Sequence, residues 1–189
     1  MATIYFTATT LDGFLATSDN SLSWLFEVPG ADDAESSIPD FMAGVGPMAM
    51  GSTTYEWVVD HESLLDNPAR WTEWYGDKPT WVFTHRDLPV VEGANIQFTQ
   101  APVAAVHAEM VAAAGDKDIW LMGGGDLVGQ FADVGLLDKI IATVAPVTLG
   151  AGAPLLPRDI RSDRLTLESV KQSGQFAELV YAVGELPAT

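Results

Sequence analysis

Ile119-Trp120-Leu121-Met122 is an unbroken apolar run that passes directly into Gly123-Gly124-Gly125, after which Leu127, Val128, Phe131 and Val134 recur at helical spacing until Gly135. A short apolar run without polar alternation is the mark of a strand covered on both faces, so the segment reads as strand, triple glycine, helix. A covered strand feeding a helix belongs to a layered α/β fold with a mostly parallel sheet. Glycines at that joint let backbone approach a ligand, and the free N–H groups and dipole of the helix start favour a pyrophosphate, which points to a dinucleotide. The same glycines also serve close packing with no ligand at all. The Gly-x-Gly-x-x-Gly pattern fails because its sixth place is Val128, and no Gly-Lys-Ser/Thr loop is present.

Other elements follow from period and punctuation. Ile4, Phe6 and Ala8 alternate with Tyr5, Thr7 and Thr9 as a strand that breaks at Leu11-Asp12-Gly13. A short helix is expected around residues 38–45, then a strand over 47–50 ending at Gly51, with Ser52-Thr53-Thr54 placed to cap a helix through Val59. Residues 60–78, with Pro68 and the Trp71/Trp74 pair, read as loop. Strands are expected at 81–83 and 95–98, and Pro102 opens a helix that stops at Gly115. Residues 140–147 form another strand, in which Pro146 marks an edge or bulge. Residues 165–170 and 177–183 form an antiparallel hairpin around Ser173-Gly174. With 189 residues and no repeat or linker, the expectation is one domain: three-layer α/β, a mostly parallel sheet and an antiparallel C-terminal hairpin.

Charge narrows the partners. Nine Lys+Arg against 26 Asp+Glu give −17, a field that repels nucleic acid and anionic membrane surfaces. Residues 1–69 hold eleven acidic residues and no Lys or Arg. Any phosphate must therefore be held by backbone N–H groups or by the few later cations. The absence of cysteine excludes disulfides, thiolate nucleophiles and cysteine-ligated metals and fits a cytoplasmic location. The three histidines show no ligand spacing, so no metal is expected. No stretch reaches the apolar length of a membrane span.

Three polar segments sit at predicted strand ends: Gly51–Thr54, Thr84-His85-Arg86 and Gly123–Gly125. Ligands collect at the carboxyl edge of parallel strands, so these segments converge on one cleft. The order of motifs resembles the dihydrofolate reductase fold family, and most closely the stand-alone relatives of the riboflavin-biosynthesis reductase domain. The resemblance is carried by Ala8 through Ala16, Asn20, Trp24, Met50-Gly51-x-x-Thr54-Tyr55-Glu56, Trp81–Arg86, Ile119–Gly125 with Leu127-Val128, Leu136-Leu137-Asp138-Lys139 and Ala145-Pro146-Val147-x-Leu149-Gly150-x-Gly152.

That resemblance implies NADPH across the strand ends, with NADH as the other nicotinamide cofactor. Backbone groups of Ala8 and Leu15 would hold the carboxamide. Gly51, Ser52, Thr53 and Thr54 would hold phosphates together with Gly123, Gly124, Gly125, Asp126, Leu127 and Val128, and a cis peptide is expected at Gly123-Gly124. Thr84, His85 and Arg86 match the segment at the adenosine 2′-phosphate. Ser52 replaces an arginine found in many relatives, and Asp126 stands where some are basic. The acid that orients an aminopyrimidine ring in this family falls near Asp40 or Glu35, each of which also reads as a solvated carboxylate. Asp12 reads first as a turn former, His61 as a solvated loop residue, and His107 as a boundary residue on a helix. Trp24, in the loop over the nicotinamide, is the residue expected to touch substrate. Arg158, Arg161 and Arg164 read as charge balance, and exposed Leu155-Leu156 with the long C-terminal strands suggest a homodimer. The expected activity is NADPH-dependent reduction of a small heterocycle of the pterin or aminopyrimidine class. The alternatives are a riboflavin-pathway reductase of a ribosylaminopyrimidine phosphate and a non-catalytic nucleotide-binding scaffold.

Overall fold

A computed structural model of the chain describes residues 1–31 and 38–186. The strands are β1 (Thr3–Thr10), β2 (Phe14–Ala16), β3 (Val45–Gly51), β4 (Thr80–Phe83), β5 (Ile96–Thr99), β6 (Asp118–Gly123), β7 (Lys139–Ala145), β8 (Ala153–Pro154), β9 (Leu165–Ser173) and β10 (Phe176–Val183). The helices are α1 (Ser23–Phe26), α2 (Ile38–Gly44), α3 (Ser52–His61), α4 (Ala69–Tyr75), α5 (Val103–Ala114) and α6 (Gly125–Asp133). The main sheet runs β5-β4-β3-β6-β1-β7-β10-β9, and β2 pairs with β8 separately. Every pairing from β5 across to β7 is parallel, whereas β7–β10 and β10–β9 are antiparallel.

Period-two alternation in the covered strands sends successive side chains to opposite layers. Ala49, Trp81, Ile119 and Leu121 join Val106 and Met110 of α5 and Val128 and Phe131 of α6 in one core. Met48, Met50 and Val82, with Trp120 and Met122 packed beside them, join Tyr55, Val58 and Val59 of α3 and Trp71 of α4 in the other. The result is the expected three-layer arrangement, and the antiparallel hairpin closes one side of the sheet.

Four expectations need correction. Residues 60–78 are not all loop: α4 starts beside Pro68 and drives Trp71, fully buried, into the second core. The hydroxyls of Ser52–Thr54 do not cap α3; Gly51 is the capping residue, with no side-chain hydrogen bond, and all three hydroxyl residues lie inside the first turn. Pro146 marks no edge, because β7 ends at Ala145 and lies between β1 and β10. Leu155 and Leu156 are half-buried and pack on the first core, so they do not form an exposed apolar pair. Among the described residues no helix is long and apolar enough to cross a membrane.

Candidate active site

The three strand-end segments meet. A cleft of about 430 Å³ opens at the carboxyl ends of β3, β4, β5 and β6, lined by Gly51–Thr54, Thr84, His85, Gly124, Asp126 and Leu127. α3 and α6 both start on this cleft, from Gly51 and Gly124, and neither has a side-chain cap. Their first-turn N–H groups therefore lack intrahelical partners and present donors and positive dipole ends to one space. Gln100, just past β5, and Gln130 also line it. The sequence reading missed both: Gln100 obeys the strand-end rule that located the others, while Gln130 is visible only once α6 is known to border the cleft.

The three consecutive glycines do different work. Gly123 has φ +146°, a conformation that side chains disfavour, and joins Gly124 through a cis peptide. At Gly124 an added Cβ meets no atom within 4 Å, so the residue leaves open room on the cleft wall. At Gly125 an added Cβ falls 2.4 Å from the carbonyl oxygens of both Pro154 and Leu155, so this glycine serves packing against β8. Val128 is fully buried behind the cleft, in the first core.

Charge around the cleft is already paired. Arg86 donates to Glu56 through two nitrogens, at 2.8 and 2.5 Å, with its guanidinium side chain 54% exposed. Thr84 Oγ1 accepts from Arg86 N–H at 2.9 Å and donates to Arg86 O at 3.2 Å, folding this strand end into a tight turn. Arg86 thus stands beside the cleft rather than among the residues that line it, and it is clamped to a carboxylate.

A second cavity of about 350 Å³ lies at the other end of α3. Its walls include Phe6, Phe26, Trp57, His61, Trp74 and Trp120, together with Ala8, Thr7, Met122 and Glu62. Among the described residues no Lys or Arg lines it. His61 is exposed, as its sequence reading has it, but it closes α3 instead of lying in a loop, and it stacks on Trp57 at 4.4 Å and on Phe26 at 5.2 Å, with interplanar angles of 15° and 13°. Tyr75, also on the wall, is pushed up to about 12 by burial, with the Glu62 charge adding to the effect.

The remaining site expectations separate. Ala8 lines the aromatic cavity, while Leu15 sits on β2 and lines neither space. Trp24 is only 4% exposed, packs with Val28, Ala145 and Phe176, and lines neither cavity, so it belongs to the core and not to a substrate-facing loop. Asp40 is exposed on α2 and lines neither cavity; Glu35 lies outside the described residues. Asp12 does form a turn, taking Thr10 Oγ1–H at 2.6 Å, and also accepts the N–H groups of Leu149 and Gly150 at 3.0 and 2.7 Å. The Thr10 hydroxyl first, then the Gly150 N–H, hold its carboxyl below the ordinary range. His107 meets Thr3 Oγ1 at 2.9 Å, a boundary contact as expected.

A protein of Shewanella sp. PV-4 named for riboflavin biosynthesis superposes with a TM-score of 0.76 at 25% identity, over 98% of this chain and 100% of that one. Dihydrofolate reductase from Enterococcus faecalis, solved with NADP(H), gives 0.64 at 13% identity over 97% of each chain, which makes the fold dihydrofolate reductase-like. The uncharacterised protein YwjB of Bacillus subtilis (strain 168) is 32% identical over 95% of this chain and 96% of its own length. A family model for the RibD C-terminal domain matches residues 2–177. By that match, and by the sequence shared with YwjB along nearly all of both chains, this protein belongs to the RibD C-terminal domain family.

Proposed function

We propose that the chain is a cytoplasmic NADPH-dependent reductase acting on a small, planar, unphosphorylated heterocycle of the pterin or aminopyrimidine class. The observation that carries this reading is that one helix serves both cavities. Ser52 at the start of α3 borders the polar cleft, and His61 at its end, about 14 Å away at 1.5 Å per residue, borders the aromatic chamber.

The residues present fit such a cofactor. Uncapped N–H groups at two helix starts, the hydroxyls of Ser52 and Thr53 and the open wall at Gly124 suit phosphates, and they would be held by Gly51–Thr54, Gly124 and the backbone N–H groups of Asp126 and Leu127. Thr84 and His85 would face the adenosine end, and Ala8 the nicotinamide side. When bound, NADPH supplies the hydride. The chain's own part is to bind, align and exclude water. Trp57, Phe26 and Trp120 offer flat apolar surface to a ring, and among the described residues the chamber lining holds no Lys or Arg to pair with a substrate phosphate. This feature favours a phosphate-free substrate over the ribosylaminopyrimidine phosphate suggested by the family's name.

Titration with NADPH should quench tryptophan emission, and reduced nicotinamide absorbance should fall with a pterin, pyrimidine or quinazoline but not with the ribosylaminopyrimidine phosphate. Turnover of the phosphate alone would replace this reading with the riboflavin-pathway one. Binding without turnover of any compound would leave a nucleotide-binding scaffold. We further propose that β9, the sheet edge with Leu167 and Val170 exposed, joins two copies in a homodimer; a monomer in light scattering would overturn this.

A further inference from the structure

Arg158 belongs to neither cavity lining, yet all its guanidinium nitrogens are committed. Nε donates to Asp133 Oδ2 at 2.8 Å, one Nη to the Pro157 carbonyl at 2.9 Å, and the other pairs with Asp126 Oδ1 at 3.1 Å. The side chain lies in a slot on α6. A Cβ added at Gly129 would come within 2.6 Å of its Cζ and 2.8 Å of its Nε, so glycine is what allows the guanidinium to lie against the helix. In that slot Arg158 is 23% exposed despite standing on the surface.

Asp126 is, among the described residues, the one carboxylate that lines the polar cleft, and it sits in the first turn of α6, where a phosphate would be drawn. Its second oxygen accepts from Gln130 Nε2 at 3.0 Å. The Gln130 amide first, and then Arg158, hold this carboxyl below the ordinary range, so it stays ionised. Left alone, that charge would oppose the attraction of the helix start for an anion. Arg158 reaches it from behind, without occupying cleft space.

We propose that Arg158 is a charge-cancelling positioning residue of the cofactor cleft, which pairs with Asp126 so that the α6 N-terminus can accept a phosphate. The inference rests on the NADPH reading above. It departs from the sequence reading of Arg158, Arg161 and Arg164 as simple charge balance, because one of the two carboxylates that Arg158 pairs with, Asp126, stands at a helix start on the cleft, while the other, Asp133, anchors the guanidinium at the far end of the same helix.

The test is a charge cycle read by binding rather than turnover. NADPH affinity is measured by tryptophan quenching in the wild type, Arg158→Met, Asp126→Asn and the double variant, with melting curves alongside. Arg158→Met should weaken NADPH about fivefold at low salt, the scale of one uncancelled unit charge at contact distance in water, and the loss should shrink as salt rises. The double variant should return to within about twofold of the wild type, and Asp126→Asn alone should bind about twofold tighter. A residue that merely anchors the loop after β8 would leave the double variant as weak as Arg158→Met, and that result overturns the proposal. Should Arg158→Met fail to fold, Asp126→Asn decides, and unchanged affinity in it sinks the idea. A wild type that binds no NADPH overturns the functional reading as well, whereas normal wild-type binding without coupling overturns this inference alone.

Discussion

Adding one methyl group to Gly125 and, separately, to its neighbour Gly124 should produce opposite phenotypes. In Gly125→Ala the new Cβ lies 2.4 Å from two backbone oxygens, those of Pro154 and Leu155, and neither can swing away as a side chain would. The Leu155 segment is pinned by its N–H to Gly13 O at 2.9 Å, and its carbonyl accepts the hydroxyl of fully buried Tyr5 at 3.0 Å. Relief by shifting that carbonyl strands the Tyr5 hydroxyl, costing about 1–3 kcal/mol, while forcing α6 outward adds an overpacking cost of about 1–3 kcal/mol. The sum, about 2–6 kcal/mol, corresponds to a Tm lowered by about 4–24 °C in a chain of this size. Gly124→Ala meets nothing within 4 Å and loses only a helix-cap preference of about 1 kcal/mol or less. It should melt within about 4 °C of the wild type, yet its methyl group stands on the cleft wall and should weaken NADPH tenfold or more. Scanning calorimetry and a fluorescence titration on the two proteins decide the matter. A Gly125→Ala protein as stable as the wild type, or a Gly124→Ala protein with unchanged affinity, would refute the division of labour argued for these glycines.

Further outcomes follow from the same geometry. Arg86→Ala should weaken NADPH more than NADH, and Glu56→Gln, by loosening the clamp, should raise the preference for NADPH about threefold to tenfold, the scale of one net hydrogen bond of about 0.5–1.5 kcal/mol; equal changes for both cofactors would remove Arg86 from the 2′-phosphate. Trp57→Ala strips the surface on which His61 stacks, so the KM of a reducible heterocycle should rise tenfold or more while NADPH affinity holds, and a fall in NADPH affinity of the same size would show that the two cavities are not separate subsites. Burial pushes His107 below its usual 6.5 although Asp138 opposes the shift, so its folded pKa lies under its unfolded one. Its contribution to stability is then complete above about pH 6.5 and is lost as pH falls through the folded value. His107→Gln should flatten that part of the stability profile in denaturant titrations between about pH 8 and pH 5.

The covered strands were readable because each strand buried on both faces needs apolar residues at every position, as in 119–122 and 47–50, and that demand is local. The polar cleft was readable for the same reason: strand ends at 51, 84 and 123 are marked by glycine and hydroxyl residues within the chain itself. α4 escaped notice because Pro68 and two acidic neighbours, Asp66 and Glu73, obscure a helical face that Trp71 and Tyr75 do mark at a spacing of four. The aromatic chamber was harder still. His61 gains its place from Phe26, brought beside it only by tertiary folding, and Trp24 and Trp57 look alike in sequence although one is core and the other wall. Leu155 and Leu156 read as exposed because their loop lacks periodicity; their cover comes from the first core.

Because α3 begins at one cavity and ends at the other, its backbone works as a ruler. Inserting a single residue within Ser52–His61 would turn everything beyond it by about 100° and carry Trp57 or His61 off the chamber wall. Related chains that accept differently shaped molecules are therefore expected to keep this helix at constant length. Their variation should fall in the segments that border the chamber before and after it, at 17–31 and 62–79, where extra residues enlarge the room without spoiling its alignment with the first cavity.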